Sequence, residues 1–263
     1  MDLGLKGKIA MVAGASKGLG YAVARGLAAE GVKVSIASRD EASVTSAANR
    51  IAAETYSDTL GTAVDVRSAE AIAAWHARTV EKFGGVDLLY VNSGGPPAGA
   101  ALSFDDAAWK NAFDLLVLSA VRVVRLAVPT MRARGGGAIV IATSSAVREP
   151  VPNLALSNIV RASTAAMSKT LANELAADHI RVNHLMPGRI HTDRIDELDG
   201  IRAKNTGSSM EDVRATWAKS IPMGRYGDPA EFASGAIFLF SDAARYITGA
   251  TLQVDGGMIK SVS

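Results

Sequence analysis

Two patterns of apolar and polar positions alternate along the chain. Short apolar runs are followed by longer stretches in which alanine, valine or leucine recurs every three or four residues. The first pattern is typical of strands buried on both faces, and the second of amphipathic helices. Because the two alternate throughout, the chain is predicted to form a parallel sheet covered by helices on both faces. The expected fold class is therefore α/β, a doubly wound parallel sheet in three α/β/α layers.

The predicted elements cover most of the chain. The pattern predicts strands at residues 8–13, 32–37, 62–66, 86–91, 138–143, 180–186 and 251–254. It predicts helices at residues 19–30, 40–54, 68–83, 105–131, 154–178 and 229–240. Residues 190–226 have the least regular pattern and are interpreted as a substrate loop. No linker or repeat interrupts the alternation, so residues 1–263 are expected to form one domain.

The first strand-to-helix turn carries three glycines, Gly14, Gly18 and Gly20, in the spacing G-x-x-x-G-x-G. Gly14 allows a tight turn, Gly18 lets a phosphate approach the backbone, and Gly20 lets the helix pack close to the sheet. The N–H groups and the dipole at the start of the helix attract an anion. Between a strand and a helix, this motif favours dinucleotide binding over a plain turn. The residues predicted to line the phosphate site also include Ser16, Lys17 and Leu19.

The end of the second strand bears on which dinucleotide binds. An NAD site usually has a carboxylate at this position to hold the ribose 2′-hydroxyl, but this chain has Ser38 followed by Arg39. A guanidinium can hold a 2′-phosphate, and Lys17 supplies a second cation nearby. The sequence therefore predicts NADP (NADPH) as the cofactor, with NAD less favoured.

The other predicted strands end in small or polar residues, where ligands of parallel sheets bind. These ends are Asp65-Val66, Asn92-Ser93-Gly94-Gly95, Thr143-Ser144-Ser145 and Met186-Pro187-Gly188. Together they predict a cofactor path along one edge of the sheet.

Composition excludes several other classes of protein. The chain has 263 residues, 48% hydrophobic and 21% charged, which is typical of a globular protein. Its net charge of +2 comes from interspersed acids and bases, so no nucleic-acid partner is expected. It has no cysteine, and its four histidines lack metal-ligand spacing, so no metal site is expected. Without a signal peptide or a long apolar run, we expect a cytoplasmic protein with no membrane partner.

The motifs above, with Ile180-Arg181-Val182-Asn183 and the tail Thr248-Gly249…Asp255-Gly256-Gly257, resemble the short-chain dehydrogenase/reductase family over nearly the whole chain. The resemblance implies a Rossmann-type NAD(P) domain, a homo-oligomer (dimer or tetramer) and hydride transfer between a carbonyl and an alcohol of a small-molecule substrate. It also implies cofactor contacts by position. Asp65 and Val66 would flank the adenine, Asn92 and Gly94 would lie along the cofactor, and Pro187, Gly188 and Thr192 would lie near the nicotinamide carboxamide.

The catalytic positions depart from the family pattern. The family uses a Ser, a Tyr-x-x-x-Lys pair and usually an Asn. Alignment through residues 168–175 puts Ser157 at the Tyr position, Arg161 at the Lys position and Leu116 at the Asn position, whereas Ser144 matches the Ser. The chain is therefore interpreted as a divergent member without the Tyr-x-x-x-Lys pair, with Ser144, Ser157 and Arg161 as candidate catalytic residues.

This substitution changes the chemistry that the site offers. A serine hydroxyl is a much weaker acid than a phenol. Arg161 stays protonated, so it holds ribose hydroxyls and supplies a positive field but does not relay a proton. His191 is the first alternative proton donor, and Tyr226 and Tyr90 are weaker candidates. Nearby apolar residues and three arginines, Arg148, Arg189 and Arg194, suit an acyl thioester or an apolar acid as substrate.

Three hypotheses remain open at this point. The first is an NADP-dependent oxidoreductase for a carbonyl/alcohol pair, such as a 3-oxoacyl compound or another apolar ketone, with an altered proton donor. The second is NADP-dependent reduction of a C=N bond or an activated C=C bond. The third is a catalytically impaired NADP-binding protein.

Overall fold

Seven parallel strands form one sheet in the computed structural model, which describes residues 2–261. Met1, Val262 and Ser263, the ends of the predicted domain 1–263, lie outside the described residues. The strand order is β3-β2-β1-β4-β5-β6-β7. Strands β2 and β3 are added on one side of β1, and β4 to β7 on its other side, so the topological switch point lies between β1 and β4. The strands are β1 Ile9–Ala13, β2 Lys33–Ser38, β3 Thr59–Ala63, β4 Leu88–Val91, β5 Gly137–Ala142, β6 Ile180–Pro187 and β7 Thr251–Val254.

Helices cover both faces of this sheet. Helices α1, α2 and α9 pack with β1, β2 and β4 into one apolar cluster, and α3, α5 and α6 pack into a second cluster on the opposite face. The predicted three-layer fold is therefore confirmed. The helices of residues 2–261 are α1 Gly18–Ala29, α2 Glu41–Thr55, α3 Ala69–Phe83, α4 Asp106–Phe113, α5 Ser119–Ala133, α6 Ala155–Leu175, α7 Asp193–Thr206, α8 Met210–Ser220 and α9 Pro229–Phe240.

Polar side chains begin several helices, as the sequence pattern indicates. The Asp40 carboxylate accepts a hydrogen bond from the N–H of Ser43 at 2.8 Å, and the Ser68 hydroxyl accepts one from Ala71 at 3.1 Å. Both bonds satisfy an N–H group that the helix itself leaves without a partner. These two helices therefore begin where the sequence predicts.

Two predicted elements are wrong in extent. The third strand spans Thr59–Ala63 rather than residues 62–66. Its first three residues are only half-buried and form no apolar run, whereas Val64, just beyond the strand, is buried and still donates its N–H to the carbonyl oxygen of Ser38 at 2.7 Å. The predicted helix 105–131 is two helices, α4 and α5, joined by a π-helical turn over Asp114–Leu118. Apolar periodicity does not reveal such a turn, since it inserts only one residue into the helical register.

Residues 190–226 contain two helices, α7 and α8, so the expectation of irregular structure is wrong. Both helices bury few residues: Asp199 and Ala203 in α7, and Val213 in α8. A helix with so little buried surface shows almost no apolar stripe, which is why the sequence pattern missed it. The role of this segment as a substrate loop stays a prediction.

Candidate functional site

The glycine turn after β1 has the backbone geometry that a phosphate site requires. Gly14 and Gly18 have φ of +63° and +60°, a region that favours glycine. A Cβ on Gly20 would lie 2.2 Å from the carbonyl oxygen of Gly14, so only glycine fits there. Lys17 precedes α1 without a side-chain cap, so no side chain occupies the first N–H groups of this helix. The turn therefore fits the phosphates of a dinucleotide.

The end of β4 lies directly beside this turn. The Asn92 side-chain amide donates to the carbonyl oxygen of Gly14 at 3.4 Å and joins the ends of β1 and β4. Gly94 is exposed, and no heavy atom lies within 4 Å of where its Cβ would be. Open backbone at this position leaves room for a bound ligand along the strand ends.

The end of β2 carries an exposed cation, and two acids near it have other partners. Ser38 is half-buried and Arg39 is exposed. Asp65, in the turn after β3, pairs with Arg67 at 2.6 Å. Arg67, with a smaller contribution from Arg39, holds the pKa of the Asp65 carboxyl below its ordinary value. Arg67 pairs with Asp65, and the Asp40 carboxylate caps α2, so neither acid forms an ion pair with Arg39 and its guanidinium can bind a phosphate.

Lys17, predicted to hold the 2′-phosphate of NADP, instead forms an ion pair in this structure. Its ammonium pairs with the carboxylate of Asp193, at the start of α7, at 2.6 Å. Both side chains are about three-quarters exposed. An exposed pair of this kind is weak, so a bound phosphate can displace Asp193 from Lys17. The part of Lys17 in holding a 2′-phosphate stays a prediction.

The end of β6 lies at the same edge of the sheet as the glycine turn, separated from β1 by β4 and β5. A Cβ on Gly188 would lie 2.6 Å from the Cα of Asp255, so glycine is required directly after Pro187. Thr192 caps α7, and its methyl carbon lies 3.5 Å from where a Cβ of Gly18 would be. The structure thus brings Thr192 to the phosphate turn, although the two are far apart in the chain.

Ser144 and Arg161 both lie at the carboxyl end of β5. The Ser144 hydroxyl accepts a hydrogen bond from the N–H of Ala146 at 3.2 Å, which leaves its own proton free to donate. A terminal nitrogen of Arg161 donates to the carbonyl oxygen of Ala142, the last residue of β5, at 3.4 Å. Ser157 is half-buried one turn before Arg161 on α6. Of the three candidate catalytic residues, Arg161 is the one with a side chain bonded to a strand end.

Arg161 is a half-buried cation, and none of the carboxylates of residues 2–261 forms an ion pair with it. Burial is the main cause that lowers the pKa of Arg161 to about 10; Tyr90 opposes this change, and the charge of Arg194 adds a smaller lowering effect. Arg161 is therefore still protonated at neutral pH. It can stabilise negative charge that develops on a ligand oxygen.

Of the three alternative proton donors, Tyr90 and Tyr226 are buried and His191 is exposed. Tyr90 is fully buried in the core, and burial raises the pKa of its hydroxyl, which makes it a weaker acid. His191 is exposed, and its ring lies 5.0 Å from the ring of Tyr226. The Tyr226 hydroxyl donates to Asp199 at 2.9 Å, and burial raises the pKa of Tyr226 as well. The phenols offer no ready acid in this state.

A buried ionic cluster that sequence reasoning missed links β6 to α7 and α8. Arg189 pairs with the fully buried Asp199 at 2.6 Å, and its guanidinium lies 3.8 Å from the ring centre of Trp217. Arg189 is only 10% exposed and its charge is paired with Asp199, so it is not the accessible cation for a substrate that the sequence suggests. Asp199 gave no signal in the sequence because an aspartate on a polar helix is usually solvated.

Leu116, at the position of the family's Asn, is buried in an apolar cluster between α4, α5 and α6. It lies in the π-helical turn, and its carbonyl oxygen accepts a hydrogen bond from Thr164 at 3.4 Å. Residues 2–261 contain no group of three His, Asp or Glu side chains arranged to bind a metal ion. Within the same residues, no helix is both long and apolar enough to cross a membrane.

Comparison with known proteins identifies the class. The family model described as enoyl-(acyl carrier protein) reductase matches residues 14–259. Dehydrogenase/reductase SDR family member 4 of Bos taurus is 35% identical over 97% of this chain and 88% of the relative. The 3-oxoacyl-(acyl-carrier-protein) reductase FabG of Chlamydia muridarum is 30% identical over 97% of this chain and 98% of its own. The chain belongs to the short-chain dehydrogenase/reductase family.

Solved structures agree with this assignment. L-sorbose reductase from Gluconobacter frateurii, complexed with NADPH and L-sorbose, is 35% identical, with a TM-score of 0.95 and full coverage of both chains. The predicted Rossmann-type fold and the oxidoreductase class are confirmed, as is a nicotinamide dinucleotide cofactor. That Ser157 and Arg161 stand in place of the family's Tyr and Lys stays a prediction from the sequence pattern.

Proposed function

We propose that the protein is an NADPH-dependent reductase of an α,β-unsaturated carbonyl compound and that it reduces the conjugated C=C bond. One observation carries the proposal: at the end of β5, the charged group beside Ser144 is a half-buried arginine without a carboxylate partner. This arrangement suits a reaction that develops negative charge on oxygen and does not need a strong acid at that oxygen.

Several residues support NADPH as the cofactor. The turn from Gly14 to Gly20 offers N–H groups to the pyrophosphate, and the exposed Arg39 offers a cation to the 2′-phosphate. Among similar solved structures, L-sorbose reductase is complexed with NADPH. YwfH, described as an NADPH dependent reductase involved in bacilysin biosynthesis, is 28% identical with a TM-score of 0.91 and covers 97% of this chain and 99% of its own.

The difference between the two possible reactions lies in the basicity of the first product. When bound, NADPH would supply a hydride to the β-carbon. The C=C π pair would then form the new double bond to the carbonyl carbon while the C=O π pair moves to oxygen, which would leave NADP⁺ and an enolate of the substrate. Arg161 and the free hydroxyl proton of Ser144 would hold the enolate oxygen by charge-assisted hydrogen bonds. At its oxygen, the enolate is a weaker base than an alkoxide because its charge is delocalised, so that oxygen needs no strong acid. The α-carbon takes its proton from water, which leaves hydroxide.

Direct reduction of a ketone is the second candidate. Ser144 matches the family's Ser in position, and the printed names of FabG and L-sorbose reductase describe reductases of 3-oxoacyl groups and of a keto sugar. The alkoxide formed in that reaction needs a proton at its oxygen. General acid catalysis typically contributes 10²–10⁴-fold, so a site without a phenol would reduce ketones correspondingly more slowly.

The identity of the product tests the proposal. Cyclohex-2-enone is incubated with NADPH that carries deuterium at C4, and the product is analysed by mass spectrometry and NMR. We expect cyclohexanone with deuterium at its β-carbon and no turnover of cyclohexanone itself. Cyclohex-2-enol as product would establish the second candidate. Binding of NADPH without turnover of any enone or ketone would support the third hypothesis, an impaired NADP-binding protein.

Variants of Arg161 separate charge from structure. Arg161→Gln is expected to lower kcat for enone reduction about 10²–10³-fold, the usual loss when one oxyanion donor is removed. Arg161→Lys keeps the charge and is expected to keep more of the activity. NADPH affinity is measured for each variant by fluorescence titration, because Arg161 is also a predicted ligand of the cofactor ribose. Equal kcat for the three proteins would contradict the assigned role.

A further inference from the structure

The first two residues of helix α7, Asp193 and Arg194, contact loops at the carboxyl ends of β1 and β4. Asp193 pairs with Lys17 in the glycine turn. Arg194 donates to the carbonyl oxygen of Pro96, in the loop after β4, at 3.0 Å. A Cβ on Gly95 would lie 3.0 Å from a terminal nitrogen of Arg194, so the guanidinium lies directly against this glycine. Arg194 therefore stands at the same strand ends as the predicted cofactor path.

The guanidinium of Arg194 keeps unused donors in this position. Of its five N–H groups, one bonds Pro96 and one bonds Glu197 at 2.9 Å. The side chain of Glu197 is 57% exposed and lies one turn along the same helix, a geometry in which an ion pair contributes little. The Arg194 side chain is 35% exposed, so a ligand anion can reach its remaining N–H groups.

Arg194 and Arg161 lie at the ends of neighbouring strands, on two different helices. Arg161 bonds the carbonyl oxygen of Ala142 at the end of β5, and Arg194 bonds that of Pro96 in the loop after β4, the strand that pairs with β5. No carboxylate within residues 2–261 pairs with Arg161, and Glu197 is the exposed partner of Arg194. An anion that binds between the ends of these two neighbouring strands is stabilised by both positive charges.

We propose that the substrate carries a carboxylate and that Arg194 binds it while Arg161 faces the carbonyl oxygen. This inference rests on the proposed function, since it places a second group of the same conjugated substrate. Arg194 then determines specificity for charged over neutral substrates. Its planar guanidinium can bind both oxygens of a carboxylate in parallel hydrogen bonds, which an ammonium cannot do.

A binding experiment tests the carboxylate site without any reaction. The protein saturated with NADP⁺ is titrated by calorimetry with 4-oxopentanoate and with its methyl ester, which differ only in charge and a methyl group. We expect the carboxylate to bind about 10-fold more tightly or better than the ester, the effect of one charge-assisted pair. Arg194→Gln is expected to abolish the preference, and Arg194→Lys to keep part of it.

Two variants on the same helix serve as controls. Lys204→Gln removes an exposed cation from the last turn of α7 and is expected to leave the preference unchanged. Glu197→Gln removes the acid that competes for Arg194 and is expected to increase the preference. Opposite effects of Arg194→Gln and Glu197→Gln cannot come from a general disturbance of α7, because both residues lie on this helix.

The same variants are then assayed with (E)-4-oxopent-2-enoate and its methyl ester as substrates. Arg194→Gln is expected to lower kcat/KM for the carboxylate about 10-fold and to leave that for the ester unchanged. Equal binding of both 4-oxopentanoate probes by the native protein would overturn the inference. So would a loss of NADPH affinity in Arg194→Gln with an intact carboxylate preference, because Arg194 would then serve a cofactor phosphate. If neither enone is reduced, the proposed function fails, while the titrations still decide the carboxylate site.

Discussion

At the scale of single residues, burial and hydrogen bonding decide whether a titratable side chain carries a charge. His184, on β6, is held between two threonine hydroxyls, that of Thr143 at 3.1 Å and that of Thr251 at 2.5 Å. Its side chain is buried between the neighbouring strands β5 and β7. Burial lowers the pKa of His184 to about 4, and the charge of Arg148 contributes in the same direction. The imidazole is therefore neutral at physiological pH and joins three strands beneath the site.

This shift predicts a loss of stability in mild acid. Between pH 6.5 and 4 the unfolded chain binds a proton at His184 and the folded chain does not, so stability falls as pH falls through this range. In urea unfolding followed by tryptophan fluorescence, the native protein is expected to lose about 2 kcal/mol more than His184→Gln between pH 7 and 4.5.

The exposed His191 provides the control for this measurement. A His191→Gln variant is expected to lose as much stability between the two pH values as the native protein does. If His184→Gln shows that same loss, the histidine on β6 is not the group responsible.

At the scale of elements, α7 and α8 are held by charge more than by apolar packing. They bury few apolar side chains, whereas Arg189, Asp199 and Tyr226 form a buried hydrogen-bonded group between β6 and these helices. Removing one partner of a buried ion pair leaves the other charge uncompensated, at a cost of several kcal/mol. The helices that cover the strand ends therefore depend on Asp199.

Asp199→Asn is expected to destabilise α7 and α8 by about 3–5 kcal/mol, because Arg189 keeps its charge and loses its partner. Asp196→Asn is the matched control, since Asp196 on the same helix pairs with Arg214 of α8 at 2.7 Å in an exposed position. It is expected to cost less than about 1 kcal/mol. Hydrogen exchange of residues 193–220, compared with that of β1, β4 and β5, measures both effects. Similar protection of α7 in the two variants would show that Asp199 does not hold it.

At the scale of the whole molecule, large apolar side chains remain exposed on the outer helices. Phe113, at the end of α4, is 44% exposed, and Ile159, on α6, is 52% exposed. These helices pack against each other over a third apolar cluster. Exposed apolar groups on adjoining elements are typical of an interface between proteins. We propose that this face joins copies of the chain in a dimer or tetramer, as the family resemblance implies.

Ile159→Glu is expected to lower the molar mass measured by light scattering to that of a smaller assembly, because a carboxylate in an apolar interface loses its hydration. Tyr56→Asp is the control, since Tyr56 is 95% exposed after α2 and lies in the left-handed conformation that aspartate tolerates. It is expected to leave the mass unchanged. A native protein that is already a monomer would refute the proposed association.

Much of the fold was predictable because its signals are local. The apolar runs of β4, β5 and β6 and the caps Asp40 and Ser68 depend on a few neighbouring residues, and the structure has each of them near its predicted position. The predictions failed where burial did not follow the pattern. Val64 is apolar without being in a strand, and α7 is a helix that buries mainly an aspartate and an alanine.

By itself, the sequence determined the parallel sheet, the glycine turn after β1 and the identity of the residues at the strand ends, because strand and turn preferences act over a few positions. Only the tertiary structure decided which charges meet. Lys17 reaches Asp193 across 176 positions of the chain, Arg194 reaches Pro96 across 98, and Arg161 approaches the end of β5 without a carboxylate. Long charged side chains bind whatever the fold brings within a few ångströms, and no periodicity in the sequence records that distance.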